Sequence, residues 1–324
     1  MDILVCENIT GPAMEDLRRR FEVEFVPELW RDPKALATRV GTARGLIVRN
    51  QTQVSAELIA SASKLEIIGR AGAGLDNVDT EAARRAGVVV TYAPNENSVS
   101  VAELTIGLML ALARNIPAAD RDTRGGGWNR QAFMGNELYG KILGVVGLGR
   151  IGRLVAQRAI AFGMRVIAHD DYVDATSDDF RRLDVQLVPL DDLLNRSDVV
   201  TCHVPLNDET RGLFNAERFG RMKPTARFIN TSRGEVVDEE ALIESLQRGR
   251  IGGAALDVRR IEPPGTSRLN ELDNVILTPH IAAFTHEAQH RVVAAVCADV
   301  AAVLSGEAAA NAFGPAVPRR NSPS

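Results

Sequence analysis

Cysteine is scarce: Cys6, Cys202 and Cys297 are the only three in 324 residues. They are odd in number, far apart and without metal-ligand spacing. That excludes a disulfide framework and a thiolate metal site, and it points to buried, reduced thiols and a cytoplasmic setting. Cys202 lies beside a motif discussed below, so a reactive thiol stands there as the alternative to a small core residue. Aromatic residues make up 5% of the chain, so aliphatic side chains and alanine must fill the cores. No apolar run is long enough to cross a bilayer. The start, Met1-Asp2-Ile3-Leu4-Val5, has an acid and no basic region, and reads as a first strand, not a signal peptide. Neither sign of charge dominates: 38 Lys and Arg against 42 Asp and Glu leave a formal net charge of -4. There is thus no electrostatic reason to expect nucleic acid or an anionic membrane as partner, and an anionic substrate would need a local cluster of positive charge. Solenoid-type repeats and low-complexity segments are lacking too.

What is present is alternation. Apolar runs at Ile3–Cys6, Val23–Val26, Leu46–Val48, Leu65–Ile68 and Val88–Val90 are separated by charged, alanine-rich stretches. A second series follows at Ile142–Val146, Arg165–Ala168, Val199–Cys202, Arg227–Ile229 and Val275–Leu277. Strands alternating with helices predict parallel sheets covered on both faces, and the length suits two domains. Between the series, Ser98–Arg114 reads as one helix, apolar nearly all round. Such a helix must be buried on several sides, as a plain core helix, as a crossing between domains or against another subunit. A last amphipathic helix is predicted over about Thr285–Leu304, and the tail from Gly306, with Pro315, Pro318, Arg319 and Arg320, is expected to be partly disordered and its basic pair solvated.

The strand at 142–146 runs into Gly147-Leu148-Gly149-Arg150-Ile151-Gly152. Gly-x-Gly-x-x-Gly is a weak signal alone, but here it follows a strand and opens a helix. Gly147 permits the tight turn, Gly149 a close approach of backbone to pyrophosphate, and Gly152 the packing of helix on strand. The helix N-terminus presents unpaired amides to the anion, with Arg150 placed to steer it. The next strand ends at Asp170, near the spacing of a ribose-binding acid, with Asp171 as substitute. A carboxylate there repels a 2'-phosphate, which favours NAD over NADP.

Hydride transfer to a keto acid needs, besides the cofactor, a cation for the carboxylate, an acid/base for the hydroxyl proton and a group that orients that acid/base. Arg233, in Asn230-Thr231-Ser232-Arg233-Gly234, follows one strand; Asp257 follows the run Ala254-Ala255-Leu256, with Glu262 soon after; His280 follows Leu277-Thr278-Pro279. In doubly wound sheets ligands sit at carboxyl ends of strands, where all of these fall.

Several motifs taken together resemble the D-isomer-specific 2-hydroxyacid dehydrogenase family, and within it the D-3-phosphoglycerate dehydrogenase branch. They are Arg70-Ala71-Gly72-Ala73-Gly74-Leu75-Asp76-Asn77-Val78-Asp79, Asn97-Ser98-Val99-Ser100-Val101-Ala102-Glu103, the glycine loop, His203-Val204-Pro205-Leu206, Thr231-Ser232-Arg233-Gly234 and Thr278-Pro279-His280-Ile281, in the family's order from about residue 45 to about 300. The resemblance implies an α/β fold of two doubly wound parallel-sheet domains. Residues 1–97 and 286–324 would form a flavodoxin-like substrate domain, and 98–285 a Rossmann NAD-binding domain. It implies that Arg233 binds the substrate carboxylate and polarises the keto oxygen, that His280 exchanges the proton and that Glu262 holds the imidazole. Ala71, Gly72, Ala73 and Gly74 would close on the carboxylate with backbone amides. Gly147, Gly149, Arg150, Ile151, Gly152, Asp170, Val204, Pro205, Thr210, Thr231, Asp257 and His280 would meet NAD, Asp257 through the nicotinamide carboxamide; His203 is either a contact of this loop or a structural residue. No metal is implied. A homodimer through the 98–140 region is, with Phe133 and Met134 as candidate partner surface. The family's co-repressor relatives leave an NAD-sensing binding protein as the alternative of another class; glyoxylate, hydroxypyruvate and sulfolactate are the alternative substrates.

Two departures stand out. Ala282-Ala283-Phe284 replace the family's common Gly-Gly after the histidine motif, and Arg259-Arg260 replace an aromatic and an acid. Either arginine reaches a second anionic group on the substrate, or both are solvated; the latter is the plainer expectation. The chain ends soon after the last helix, so serine feedback through an added regulatory domain is not expected.

Overall fold

The computed structural model describes residues 1–318 apart from Ala175 and Ser177, so Arg319 and Arg320 lie outside the described residues. The chain divides into two compact units, Met1–Asn97 with Thr285–Ser324, and Ser98–Phe284. No single helix among the described residues is long and apolar enough to cross a membrane.

In the first unit, strands β1 (Ile3–Val5), β2 (Val23–Phe25), β3 (Gly45–Val48), β4 (Ile67–Arg70) and β5 (Val89–Thr91) form a sheet in the order β2-β1-β3-β4-β5. Every pairing is parallel, and 2-1-3-4-5 is the flavodoxin-like order. β1 and β3 are buried throughout, as the continuous apolar runs require of a sheet covered on both faces. β4 begins two residues later than its apolar run suggests. Leu65 is buried ahead of it, and Gly69 inside it has no side chain to signal a strand. A Cβ on Gly69 would stand 2.7 Å from Val296 and 2.9 Å from Val300, so the glycine lets the last helix, His286–Leu304, lie close on the sheet.

The tail is tied to this unit over its described residues. Asp299, buried in that helix, accepts the amides of Ala310 (2.8 Å) and Asn311 (3.1 Å) and the Thr91 hydroxyl. Ala312 then bridges antiparallel to Thr91. A buried carboxylate with so many donors fixes the segment it caps.

The second unit holds β6 (Ile142–Val146), β7 (Arg165–His169), β8 (Val185–Leu187), β9 (Val199–Cys202), β10 (Arg227–Asn230), β11 (Gly253–Leu256) and β12 (Val275–Leu277). All are parallel in the order β12-β11-β10-β9-β6-β7-β8, so the strand order reverses between β6 and β9. This is the Rossmann 3-2-1-4-5-6 order with one strand added. The helix Ser98–Ala113 belongs to this unit and buries residues on several sides, among them Val101, Thr105, Leu108, Met109 and Leu112. Three of the few aromatics cluster: Phe214, Phe219 and Phe228 are fully buried, with ring centroids 4.6 to 6.2 Å apart. Elsewhere the cores are aliphatic.

Candidate active site

Strand register aligns the site. Val146 pairs with His169 and Cys202, Cys202 with Asn230, Asn230 with Leu256, and Leu256 with Leu277. The six strands therefore end in one row, and the next residues, Gly147, Asp170, His203, Thr231, Asp257 and Thr278, share one edge. Five of these six are candidates from the sequence.

At the switch point the backbone builds a cradle. Gly147 has φ +93, and a Cβ there would come within 2.8 to 2.9 Å of the His203 backbone. A Cβ on Gly152 would meet the Gly147 carbonyl oxygen at 2.1 Å. Gly149, by contrast, faces open space, and it starts the helix Arg150–Ala161 with no side-chain cap. Uncapped first-turn amides over open space suit a pyrophosphate. Asp170 accepts the Leu148 amide at 2.7 Å through Oδ2 and the Tyr172 amide at 2.9 Å through Oδ1, which fixes the carboxylate against the glycine loop while leaving lone pairs for ribose hydroxyls. These residues fit a dinucleotide.

On the other side of the switch point, the His203 Nε2 stands 3.0 Å from the Thr201 hydroxyl. Burial pulls this imidazole down to about 3, so it is neutral at physiological pH. Thr210 ties its own loop, donating to the Pro205 carbonyl at 2.6 Å. Buried Thr231 is 3.0 Å from the Thr105 hydroxyl on the long helix. Cys202 is buried, and burial pushes its thiol up to about 11, which leaves no thiolate to react.

The acid/base corner is made by three loops. Asn230 shapes the first: its side-chain oxygen accepts the Ser232 amide (2.9 Å) and hydroxyl (2.8 Å), and its amide donates to the Arg233 carbonyl (2.8 Å). Arg233 Nη1 donates to the Ser232 carbonyl at 2.8 Å. Gly234 then touches the second loop, where a Cβ would be 2.0 Å from the Arg259 carbonyl carbon. No other residue allows this approach, which brings the arginine loop beside the glutamate loop. Glu262 Oε1 accepts the Arg259 amide at 2.9 Å, and Oε2 lies 2.6 Å from His280 Nδ1. Burial alone would raise the Glu262 pKa. The hydrogen bonds from His280 and the Arg259 amide, with the charges of His280 and Arg233, outweigh it and hold the carboxyl below its usual range.

The third loop carries His280 at φ +53, a left-handed backbone that is uncommon without glycine. Asp257 imposes it. Its carbonyl accepts the His280 amide at 2.8 Å, and its carboxylate accepts the Thr278 hydroxyl (2.5 Å) and the amides of Ile281 (2.9 Å) and Ala282 (2.8 Å). Asp257 is 1% exposed, so a nicotinamide carboxamide would share a carboxylate that already anchors this loop. Arg259 departs from expectation. It is not solvated: it is 9% exposed and pairs through two nitrogens with Glu239, at 3.1 and 3.2 Å. The Arg260 side chain is exposed. The substrate-loop candidates Ala71 to Gly74 follow β4 in the first unit, Ala71 donating to Val48 and the Gly72 carbonyl accepting from Ala93. No cluster able to hold a metal is found among the described residues.

Sequence reasoning misses Asn230, Gly234, Glu239 and Arg259 as shapers of this corner. Only Asn230 carries a local signal, an Asn with a Ser two positions on.

A parallel Rossmann sheet with a glycine cradle and an Arg–Glu–His corner on one edge defines a nucleotide-dependent dehydrogenase fold. Residues 106–282 match the NAD binding domain of the D-isomer specific 2-hydroxyacid dehydrogenases, and the chain belongs to that family. It is 45% identical over 310 residues to a D-3-phosphoglycerate dehydrogenase of Methanocaldococcus jannaschii, covering 95% of this chain and 58% of that protein. The chain thus spans about half the length of the curated relatives it matches. A solved Thermus thermophilus protein superposes with a TM-score of 0.90 at 38% identity, over 97% of this chain and 100% of the other. A D-lactate dehydrogenase from Aquifex aeolicus, complexed with NAD and lactic acid, gives 0.85 at 29% identity, over 94% and 96%.

Proposed function

We propose that this chain is an NAD-dependent oxidoreductase of the D-3-phosphoglycerate dehydrogenase type, interconverting a D-2-hydroxy acid and its 2-keto acid. The observation that carries this reading is the 2.6 Å contact between His280 and Glu262 in a corner where the Arg233 charge also acts on Glu262. The named activity of the Methanocaldococcus relative and the lactic acid in the Aquifex structure support the substrate class. Ser98–Phe284 is assigned to NAD, and Met1–Asn97 with Thr285–Ser324 to the substrate, close to the expected division at residues 97 and 285.

NADH, when bound, supplies the hydride. The remaining work falls to side chains. Arg233 binds the carboxylate through its planar fork and polarises the keto oxygen. Glu262 occupies Nδ1 of His280, which leaves Nε2 to give its proton to that oxygen in reduction and to take one in oxidation. The carboxylate of Glu262 stabilises the protonated ring between these events. In the substrate unit, the amides of Ala73 and Gly74 have no acceptor among the described residues, which supports an anion-binding role for the Ala71–Gly74 loop.

Asp170 favours NAD over NADP. Free, buried Cys6, Cys202 and Cys297 suit a reducing cytoplasm. The exposure of Trp128 (79%), Met134 (74%) and Tyr139 (78%) supports a homodimer through the 98–140 region; Phe133 itself is half-buried.

Enantiomer choice tests the reading. With NAD and either D-3-phosphoglycerate or D-lactate, NADH should form, and the L-hydroxy acids should give none. Turnover of L isomers alone, or of no 2-hydroxy acid, would overturn it.

A further inference from the structure

The two arginines that replace the family's aromatic and acid stand side by side, yet the structure treats them differently. Arg259 has 8% of its side chain exposed, and its partner Glu239 has 20%. Nε donates to Oε1 at 3.2 Å and Nη2 to Oε2 at 3.1 Å, while the Arg260 amide adds a third donor to Oε1 at 2.7 Å. Glu239 opens the helix Glu239–Gln247, which Asp238 caps with its side chain. Its backbone is therefore set by the start of that helix.

On the other side, the same residue whose guanidinium is clamped donates its backbone amide to Glu262, and the next bond in the chain of contacts is Glu262 to His280. Glu239 thus takes the Nε–Nη2 edge of the fork, the edge that would grip an anion bidentately, and little of the side chain is left exposed. Breaking one half of such a buried pair leaves an uncompensated charge and releases the backbone it anchors.

We propose that Arg259 and Glu239 are positioning residues for the Glu262–His280 pair, and that Arg259 does not bind the second anionic group of the substrate. The inference rests on the dehydrogenase reading above. Charged groups facing the corner are Arg233, Glu239, Arg259, Glu262 and His280, with Asp257 anchoring the histidine loop and exposed Arg260 beside it.

The test compares wild type with R259M, R259K, E239Q and the pair R259M/E262Q, in NADH-dependent reduction of phosphohydroxypyruvate and of pyruvate. NADH affinity by fluorescence and the unfolding midpoint run beside it. R259M should lower kcat about tenfold for both acids alike, with KM and NADH affinity nearly unchanged. R259K should recover part of the loss, because lysine restores the charge without the fork. Added to E262Q, R259M should cost little more, since it acts through Glu262. Should R259M fold poorly, E239Q carries the same comparison with a smaller volume change.

A rise in KM confined to phosphohydroxypyruvate would overturn the inference and make Arg259 a substrate contact. So would unchanged kcat in R259M and E239Q, or full additivity with E262Q. Lack of turnover by wild type with any 2-keto acid would instead sink the dehydrogenase reading, and this inference with it.

Discussion

The glycine cradle and the acid/base corner lie on one sheet edge but are built by opposite means. The cradle is made of missing atoms: Gly147 and Gly152 leave no room for a Cβ, and Gly149 leaves space for a ligand. The corner is made of engaged ones. Asp257, Asn230 and Glu262 each hold several donors and set a backbone that would not otherwise persist. The first kind of site is damaged by adding a methyl group, the second by removing a charge or a lone pair.

The largest effect should come from the corner. His280→Asn is expected to lower kcat by about 10²–10⁴-fold, the range of a lost general acid. NADH affinity, measured by fluorescence titration, should fall far less than kcat, because the cradle is untouched and His280 is one expected cofactor contact among many. A matching loss of cofactor binding would break the separation of the two regions.

Next comes the cradle itself. Gly152→Ala puts its Cβ 2.1 Å from a carbonyl oxygen and should cost about 1–3 kcal/mol of stability in urea unfolding. Gly149→Ala meets nothing within 4 Å and should keep stability within about 0.5 kcal/mol while weakening NADH binding. Equal stability losses in the two variants would contradict the assignment of Gly149 to the ligand side. Asp257→Asn puts a donor where one of the Ile281 and Ala282 amides needs an acceptor, and should cost about 1–3 kcal/mol by the same assay, with a fall in kcat as the His280 loop relaxes.

A smaller effect is read in pH. The Glu262 carboxyl is depressed in the folded chain, so the unfolded chain takes up this proton first as pH falls. Its stabilisation is complete above the ordinary value of 4.5 and drains as pH falls through the lower folded value. Urea midpoints should thus drop less steeply below about pH 5 in Glu262→Gln than in wild type. Glu239 and Asp198 are depressed too and add to the acid limb with the same sign. Smallest is the thiol count: burial raises Cys6 and Cys297 to about 12 and Cys202 to about 11, so a thiol reagent at neutral pH should label the native chain far more slowly than the denatured one.

The contrast also explains what is legible in the sequence. The cradle is readable because glycine spacing between a strand and a helix is a backbone requirement written over six consecutive positions. Both sheets are readable as well, since a strand covered on two faces must be an apolar run. Where a strand breaks that rule it hides or shifts: β8, three residues with Gln186 at its centre, is not read at all, and β4, read as Leu65–Ile68, is displaced because it carries Gly69 and Arg70. The corner is readable as residues, through the order of motifs, but not as geometry. Several of its supports join positions twenty or more apart, Glu239 to Arg259 and Asp257 to Ile281. Arg259 reads as solvated because nothing local signals that a helix N-terminus holds an acid for it. The hold on the first part of the tail is not legible because the buried Asp299 that caps it looks, in sequence, like any helix surface acid.

The central claim is that Arg233 and His280 serve one reaction on a 2-keto acid. It is tested most directly by NADH oxidation with phosphohydroxypyruvate, hydroxypyruvate, glyoxylate, sulfopyruvate and pyruvate, wild type beside Arg233→Ala. The account predicts turnover of at least one of these acids that falls by two or more orders of magnitude in the variant, with NADH binding retained. Tight NADH binding with no turnover of any acid, or turnover indifferent to Arg233, would contradict it.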